Sequence, residues 1–255
     1  MRDFTYPPVV LTAKAAFKAL GIRVEMRGSE HIPRSGGAVL VCNHISYVDF
    51  VFGGLAADAG GRRVRYLAKQ ELFRHRLVGP LMRSLHHIEV NRDDGLASYD
   101  DAIRCVNTGE VVGLFPEATI SYTYELKEFK TGAVRLAAKT GVPLVPVVLW
   151  GTQRMFPKGR DRDFHRGQTV AITVGEPLHP RVDDNAAAAT ATLKSTMARL
   201  LDESIRAYPE RPAGAWWLPR SYGGGAPDAA EATRMYREER RAKVAQLRAD
   251  RERGG

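Results

Sequence analysis

Cysteine is nearly absent. The 255-residue chain holds two, Cys42 and Cys105, far apart and outside any Cys-x-x-Cys spacing. That excludes a disulfide scaffold and a cysteine-rich zinc module, and it fits a reducing compartment. Long apolar runs are missing too. No stretch reaches the roughly 18–20 apolar residues that span a bilayer. The longest candidate, Val142 to Trp150, carries two prolines and has the length of a buried strand. The start of the chain does not read as a signal peptide, because Asp3 and Pro7-Pro8 interrupt it and Lys14 and Lys18 stand where an apolar core belongs. The expectation is a chain that is soluble or lies on a membrane without crossing it. Acidic residues are also in deficit, 29 against 38 Lys and Arg, which leaves a net charge of +9. Such a balance points to an anionic partner: nucleic acid, anionic lipid or a phosphorylated substrate.

What is present is enough for a full core, as one large domain or one domain with an appendage. Short apolar runs read as strands at 22–26, 38–42, 64–68, 87–91, 111–115, 144–149 and 169–174. Helical patterns fall between them at 46–57, 77–85, 96–107 and 131–139. Strands alternating with crossover helices predict an α/β fold with a mixed, largely parallel sheet flanked by helices. No internal repeat is visible. Residues 1–21 form an N-terminal unit in which Val9, Ala13, Ala16 and Leu20 recur at helical spacing, with Lys14 and Lys18 at the opposite edge. This reads as a basic amphipathic helix suited to a membrane surface. Residues 22–208 form the α/β domain. Residues 209–255 combine a Pro- and Gly-rich linker holding Trp216-Trp217 with a highly charged helical tail.

Two segments carry chemistry. In the first, the apolar run Val39–Cys42 is followed by Asn43-His44-Ile-Ser46-Tyr-Val-Asp49. A strand end followed by a helix start is where open α/β sheets build sites. There His44 is a candidate general base and Asp49 a group that holds one of its ring nitrogens. The same Ser46-x-x-Asp49 pattern also reads as a capping box, in which Asp49 satisfies backbone donors at a helix start. In the second, the run Val111–Phe115 ends in Pro116-Glu117-Ala118-Thr119, placing a carboxylate and a hydroxyl in a loop. A Glu there can accept hydrogen bonds from a polyol or hold a cation, or it can simply face solvent.

Taken together, Asn43-His44-x4-Asp49 and Phe115-Pro-Glu-x-Thr119 resemble the glycerolipid acyltransferase family, which includes the 1-acylglycerol-3-phosphate (lysophosphatidate) acyltransferases. His87-Ile-Glu-Val-Asn91-Arg92 looks like that family's second block and Val142-Pro-Leu-Val-Pro146-Val147 like its fourth, with Phe129-Lys130-x-Gly132 between the third and fourth. The resemblance covers roughly residues 20–180. It implies transfer of a fatty acyl group from a thioester, acyl-CoA or acyl carrier protein, to the free hydroxyl of lysophosphatidate, giving phosphatidate. It implies His44 as base and Asp49 as its orienting carboxylate, with Ser46, Cys42 and Cys105 not acting as nucleophiles. Asn43, Lys69, Arg92, Glu117, Ala118, Thr119 and Lys130 become substrate-binding candidates, Arg92 and the lysines for phosphate. No metal or bound cofactor is implied. A peripheral place on the cytoplasmic face of an anionic membrane is.

One block departs from the pattern. The family shows Phe-Pro-Glu-Gly-Thr-Arg-Ser; here Ala118 replaces the glycine and Ile120 the arginine. Ala118 disfavours positive φ, and Ile120 removes a phosphate-binding cation. Lys127, Lys130 or Arg154 then has to compensate, or the acceptor is another lysolipid or glycolipid. Competing classes are a non-catalytic membrane protein on the same fold and a nucleic-acid binder. The latter is disfavoured because acidic and basic residues interleave through the tail and no stacking or recognition motif appears.

Overall fold

The computed structural model describes residues 4–90 and 95–253. Seven strands, β1 (Arg23–Arg27), β2 (Ala38–Cys42), β3 (Val64–Lys69), β4 (Ile88–Val90), β5 (Val111–Leu114), β6 (Leu144–Trp150) and β7 (Thr169–Val174), form one sheet. Its order is β1-β7-β6-β2-β5-β3-β4. Every neighbouring pair is parallel except β6 with β7. The strands fall within a few residues of the apolar runs that predict them. This is the mixed, largely parallel α/β sheet expected from the sequence.

The helices are α1 (Tyr6–Ala19), α2 (Asp49–Asp58), α3 (Gln70–Arg74), α4 (Val78–Ser84), α5 (Gly95–Asn107), α6 (Gly132–Thr140), α7 (Ala186–Ala207) and α8 (Ala229–Arg253). Strand β2 shows how they are placed. Ala38–Cys42 is wholly buried, and its alternate side chains feed two cores. Val39 and Val41 join Val134, Leu136, Leu193, Met197 and Leu218 on the face covered by α6, α7 and the segment after 209. Ala38, Leu40 and Cys42 join Phe52 and Ala56 of α2 on the other. Helix α1 packs over α2: Phe17 stacks on Phe52 with ring centroids 4.8 Å apart, and the Val64 N–H donates to the Tyr6 hydroxyl at 3.1 Å. Trp217, Leu218 and Ala226 of the segment after 209 are themselves buried.

Helix α7 lies where the sequence reading placed no element. Asn185 caps it, its side-chain oxygen accepting the N–H groups of Ala187 and Ala188 at 3.0 Å. Leu193, Met197, Leu200, Leu201 and Ile205 form its buried stripe. Helix α2 starts at Asp49, three residues later than expected, because Ser46–Val48 form a turn. Helix α3, before α4, is also additional to the expected set.

Candidate active site

Strands β6, β2 and β5 lie side by side and the β2 pairings on both sides are parallel, so the loops after all three emerge at one edge of the sheet. This edge, beyond the carboxyl ends of central strands, is where α/β folds gather functional groups. Three loops therefore meet: 43–48 after β2, 115–131 after β5 and 151–168 after β6.

His44 sits in the first, its side chain about one-fifth exposed. Its Nδ1 is 2.9 Å from Oδ2 of Asp49, a carboxylate with no solvent exposure. The same oxygen accepts the Ile45 N–H at 2.7 Å and the Ser46 N–H at 2.8 Å, while Oδ1 accepts the Thr152 hydroxyl at 2.6 Å. Asp49 thus fills both roles the sequence left open, orienting an imidazole and satisfying backbone donors. An acceptor-only carboxylate at Nδ1 selects the tautomer with Nδ1 protonated, which leaves the Nε2 lone pair free to take a proton. The imidazole lies flat on Phe115, centroids 4.1 Å apart, and Phe115 in turn stacks on Tyr66 at 5.7 Å.

The backbone of His44 is clamped by the β5 loop. Its N–H donates to Oε1 of Glu117 at 2.9 Å, and its carbonyl accepts the Ser121 N–H at 2.8 Å. Glu117 is buried, and its Oε2 accepts the Lys127 N–H at 3.2 Å. Burial pushes the Glu117 carboxyl up to about 8, against the pull of those two N–H donors and the Lys127 amine; the Asp49 charge adds to the rise. Ala118, next in sequence, has a φ of 59°. The loop demands the left-handed conformation, which glycine adopts freely and alanine does not.

The remaining candidates divide. Asn43, expected among the substrate-binding residues, is fully buried with its amide committed to Leu149: Nδ2 donates to the carbonyl at 3.0 Å and Oδ1 accepts the N–H at 2.7 Å. It ties β2 to β6 and positions His44 instead. Thr119 accepts a hydrogen bond from the Lys158 amine at 3.0 Å. Lys69 ends β3, with β5 between it and β2. Lys130 has an exposed side chain, and its N–H donates to the Pro116 carbonyl at 3.0 Å. Arg92 lies outside the described residues. Arg154 pairs with Glu210 at 2.9 Å and covers the Trp217 ring, so it fastens the segment after 209. The Lys127 amine lies 4.1 Å from the Tyr236 ring centroid.

Ser46 does not act as a helix cap; its hydroxyl donates to the Phe156 carbonyl at 2.8 Å. Burial pushes the Cys42 thiol far up, and the Cys105 thiol up to about 11. Both are therefore poor sources of a thiolate nucleophile. Among the described residues, no three His, Cys, Asp or Glu side chains gather as a metal site. Thr152 and Lys158 are contributors that the sequence reading did not single out, and Phe115, part of the motif there, has the added role of stacking under the imidazole. Thr152 was traceable, because β6 neighbours β2 and Gly151-Thr152 follows it directly.

An α/β sheet carrying a carboxylate-held imidazole at the edge of its central strands, with Nε2 turned away from the carboxylate, is an enzyme's arrangement. The acyltransferase family pattern matches residues 23–150, and the chain belongs to that family. It is 31% identical over 173 residues to the 1-acyl-sn-glycerol-3-phosphate acyltransferase of Bacillus subtilis, covering 65% of this chain and 82% of the relative. It is 30% identical over 210 residues to the human alpha form of that enzyme, covering 80% and 72% respectively. The crystal structure of the 1-acyl-sn-glycerophosphate acyltransferase of Thermotoga maritima superposes with a TM-score of 0.65 at 26% identity, covering 80% of this chain and 81% of that one.

Proposed function

We propose that the protein transfers a fatty acyl group from acyl-CoA to the free hydroxyl of 1-acyl-glycerol-3-phosphate, forming phosphatidate. The 2.9 Å contact between His44 Nδ1 and Asp49 Oδ2 carries this reading. In this scheme Nε2 of His44 takes the hydroxyl proton as the oxygen attacks the thioester carbonyl. The tetrahedral intermediate then collapses, the C–S bond breaks, and the proton passes from His44 to the departing CoA sulfur. Asp49 holds the ring and stabilises the imidazolium between those steps. General-base assistance of this kind supplies roughly 10²–10⁴-fold. Glu117 and Ser121 fix the His44 backbone, and Thr119 faces the acceptor.

The names of the relatives support the acceptor. On this reading Arg92, at the end of the second sequence block, binds the acceptor's phosphate, and acyl-CoA rather than acyl carrier protein is the donor. Among the described residues no helix is long and apolar enough to cross a membrane. Exposed Leu11 of α1 and Leu72, Leu77 and Leu81 of the α3–α4 region, flanked by exposed Lys14, Lys18, Arg74 and Arg76, support a peripheral place on the cytoplasmic face of an anionic membrane.

The test is free-thiol release from palmitoyl-CoA by purified protein on anionic vesicles, with and without lysophosphatidate, beside His44→Ala. Release that requires both the acceptor and His44 is the expected result. Burial of Ile120, where the family carries an arginine, favours a second reading with another lysolipid or glycolipid acceptor. Release with such a lipid but not with lysophosphatidate would move the assignment there.

A further inference from the structure

Position 120 is apolar and buried, so the loop after β5 lacks the arginine that the family places directly after Glu117-Ala118-Thr119. A different cation reaches the neighbouring Thr119 from the loop after β6. The Lys158 side chain is only 8% exposed, and its amine donates to Oγ1 of Thr119 at 3.0 Å. It is boxed by two aromatic rings, Tyr122 at 5.1 Å and Tyr236 at 5.0 Å from their centroids. Its loop is bonded to the His44 turn, because the Phe156 carbonyl accepts both the Ser46 hydroxyl at 2.8 Å and the Tyr47 N–H at 3.0 Å. A buried ammonium needs an anion, and this one has Glu239 of α8 at 2.6 Å, on a side chain that is about half exposed.

Tyr236 seats helix α8 beside this lysine. The Tyr236 hydroxyl donates to the Ile120 carbonyl at 2.8 Å and accepts the Tyr122 N–H at 3.2 Å. Glu239 follows Tyr236 by three residues, so both project from the same side of the helix. A half-exposed carboxylate is screened by water and holds a lysine less firmly than a buried one does. A phosphate brings more charge and three acceptor oxygens to the same amine.

We propose that Lys158 supplies the cation missing at position 120 and binds the phosphate of the acceptor, and that Glu239 is an internal anion which that phosphate displaces. Acceptor selectivity then depends on a lysine from the β6 loop and on a carboxylate from the C-terminal helix, which competes with substrate. This rests on the acyl-transfer reading above.

The experiment uses the full-length chain and three variants, Lys158→Met, Lys158→Arg and Glu239→Gln. With palmitoyl-CoA as donor, Lys158→Met raises the KM for lysophosphatidate at least tenfold with no matching rise in the KM for palmitoyl-CoA, and Lys158→Arg restores most of it. Glu239→Gln lowers the KM for lysophosphatidate about threefold or more, the opposite of what loss of a purely structural latch would do. Separately from turnover, glycerol 3-phosphate raises the thermal midpoint of the unmodified protein and of Glu239→Gln, but not of Lys158→Met. Acyl transfer with an unchanged acceptor KM in Lys158→Met would overturn the assignment, as would equal thermal shifts in Lys158→Met and the unmodified protein. Absence of transfer by the unmodified protein with every acceptor strikes the acyl-transfer reading instead, and the thermal shifts then decide the phosphate site by themselves.

Discussion

Oδ2 of Asp49 and Nδ1 of His44 lie 2.9 Å apart, and that same oxygen closes the turn from Ile45 to Ser46 by accepting both N–H groups. One atom therefore orients the base and builds the loop that presents it. Orientation and fold cannot be separated by deleting the side chain, but they can be separated by changing its charge.

Asp49→Asn keeps the volume and one acceptor oxygen while losing the charge that favours the Nδ1–H tautomer. Turnover falls roughly 10²–10⁴-fold, with a modest loss of stability. Asp49→Ala leaves the Ile45 and Ser46 N–H groups and the Thr152 hydroxyl without an acceptor, each buried orphan costing about 1–3 kcal/mol. Urea denaturation beside thiol-release rates checks the pair. Full activity in Asp49→Asn would leave Asp49 with a structural role alone.

Gly113 governs what lies under the imidazole. It pairs with Tyr66 across β5 and β3, and a Cβ built on it falls 2.6 Å from Tyr66 Cε1 and 2.4 Å from Val64 Cγ1. Only glycine lets the Tyr66 ring reach Phe115, which carries His44. Gly113→Ala overpacks this face at a cost of about 1–3 kcal/mol, and by shifting the stack it lowers turnover beyond what the loss of folded protein explains. Rates corrected for folded fraction by circular dichroism give the comparison. Loss of stability with an unchanged corrected rate would show that the stack does not position the base.

Much of this was legible in the sequence, for identifiable reasons. Strands such as Val39–Val41 are buried on both faces, so their continuous apolar runs stand out, and the His44, Asp49 and Glu117 spacings survive in one dimension. Helix α7 is hard to see in the sequence because its first turns are a run of alanines and threonines with little amphipathic contrast, and its first large buried apolar side chain is Leu193. The partner of Asn43 is not legible in the sequence, because an amide beside a histidine looks like a ligand and only the β2–β6 pairing brings Leu149 to it. Lys158 and Glu239 meet from segments distant in the chain, and no local pattern announces that pair.

Ala118 holds a φ of 59° in a loop where the family carries glycine. The left-handed conformation costs an alanine about 1–2 kcal/mol, and glycine's wider freedom in the unfolded chain takes back about 0.4–1 kcal/mol. Ala118→Gly therefore stabilises by up to about 1.6 kcal/mol, raising the thermal midpoint by roughly 2–4 °C per kcal/mol at this size. A scanning-calorimetry midpoint that falls would mean the Ala118 methyl makes contacts worth more than the strain.

Glu117 sets a pH dependence whose sign follows from burial. Its carboxyl is raised from 4.5 to about 8, so the folded protein holds this proton more tightly than the unfolded chain does. Between those two values the unfolded state binds fewer protons, and stability falls as pH rises. His87 runs the other way: burial beside Arg65 lowers it to about 4, so its contribution falls as the pH drops below about 6.5. The raw stability curve mixes both, which is why the informative quantity is the difference between the unmodified protein and Glu117→Gln, in which His87 cancels. That difference is largest near pH 4.5, declines through neutrality and levels off above about 8. Urea midpoints at intervals from pH 4.5 to 9 measure it. A difference that stays flat or grows with pH would mean that the His44 and Lys127 N–H groups, which favour the carboxylate, outweigh burial. The contact with His44 runs through its backbone N–H rather than its ring, so protonation of Glu117 leaves that tether in place and the pH effect belongs first to stability.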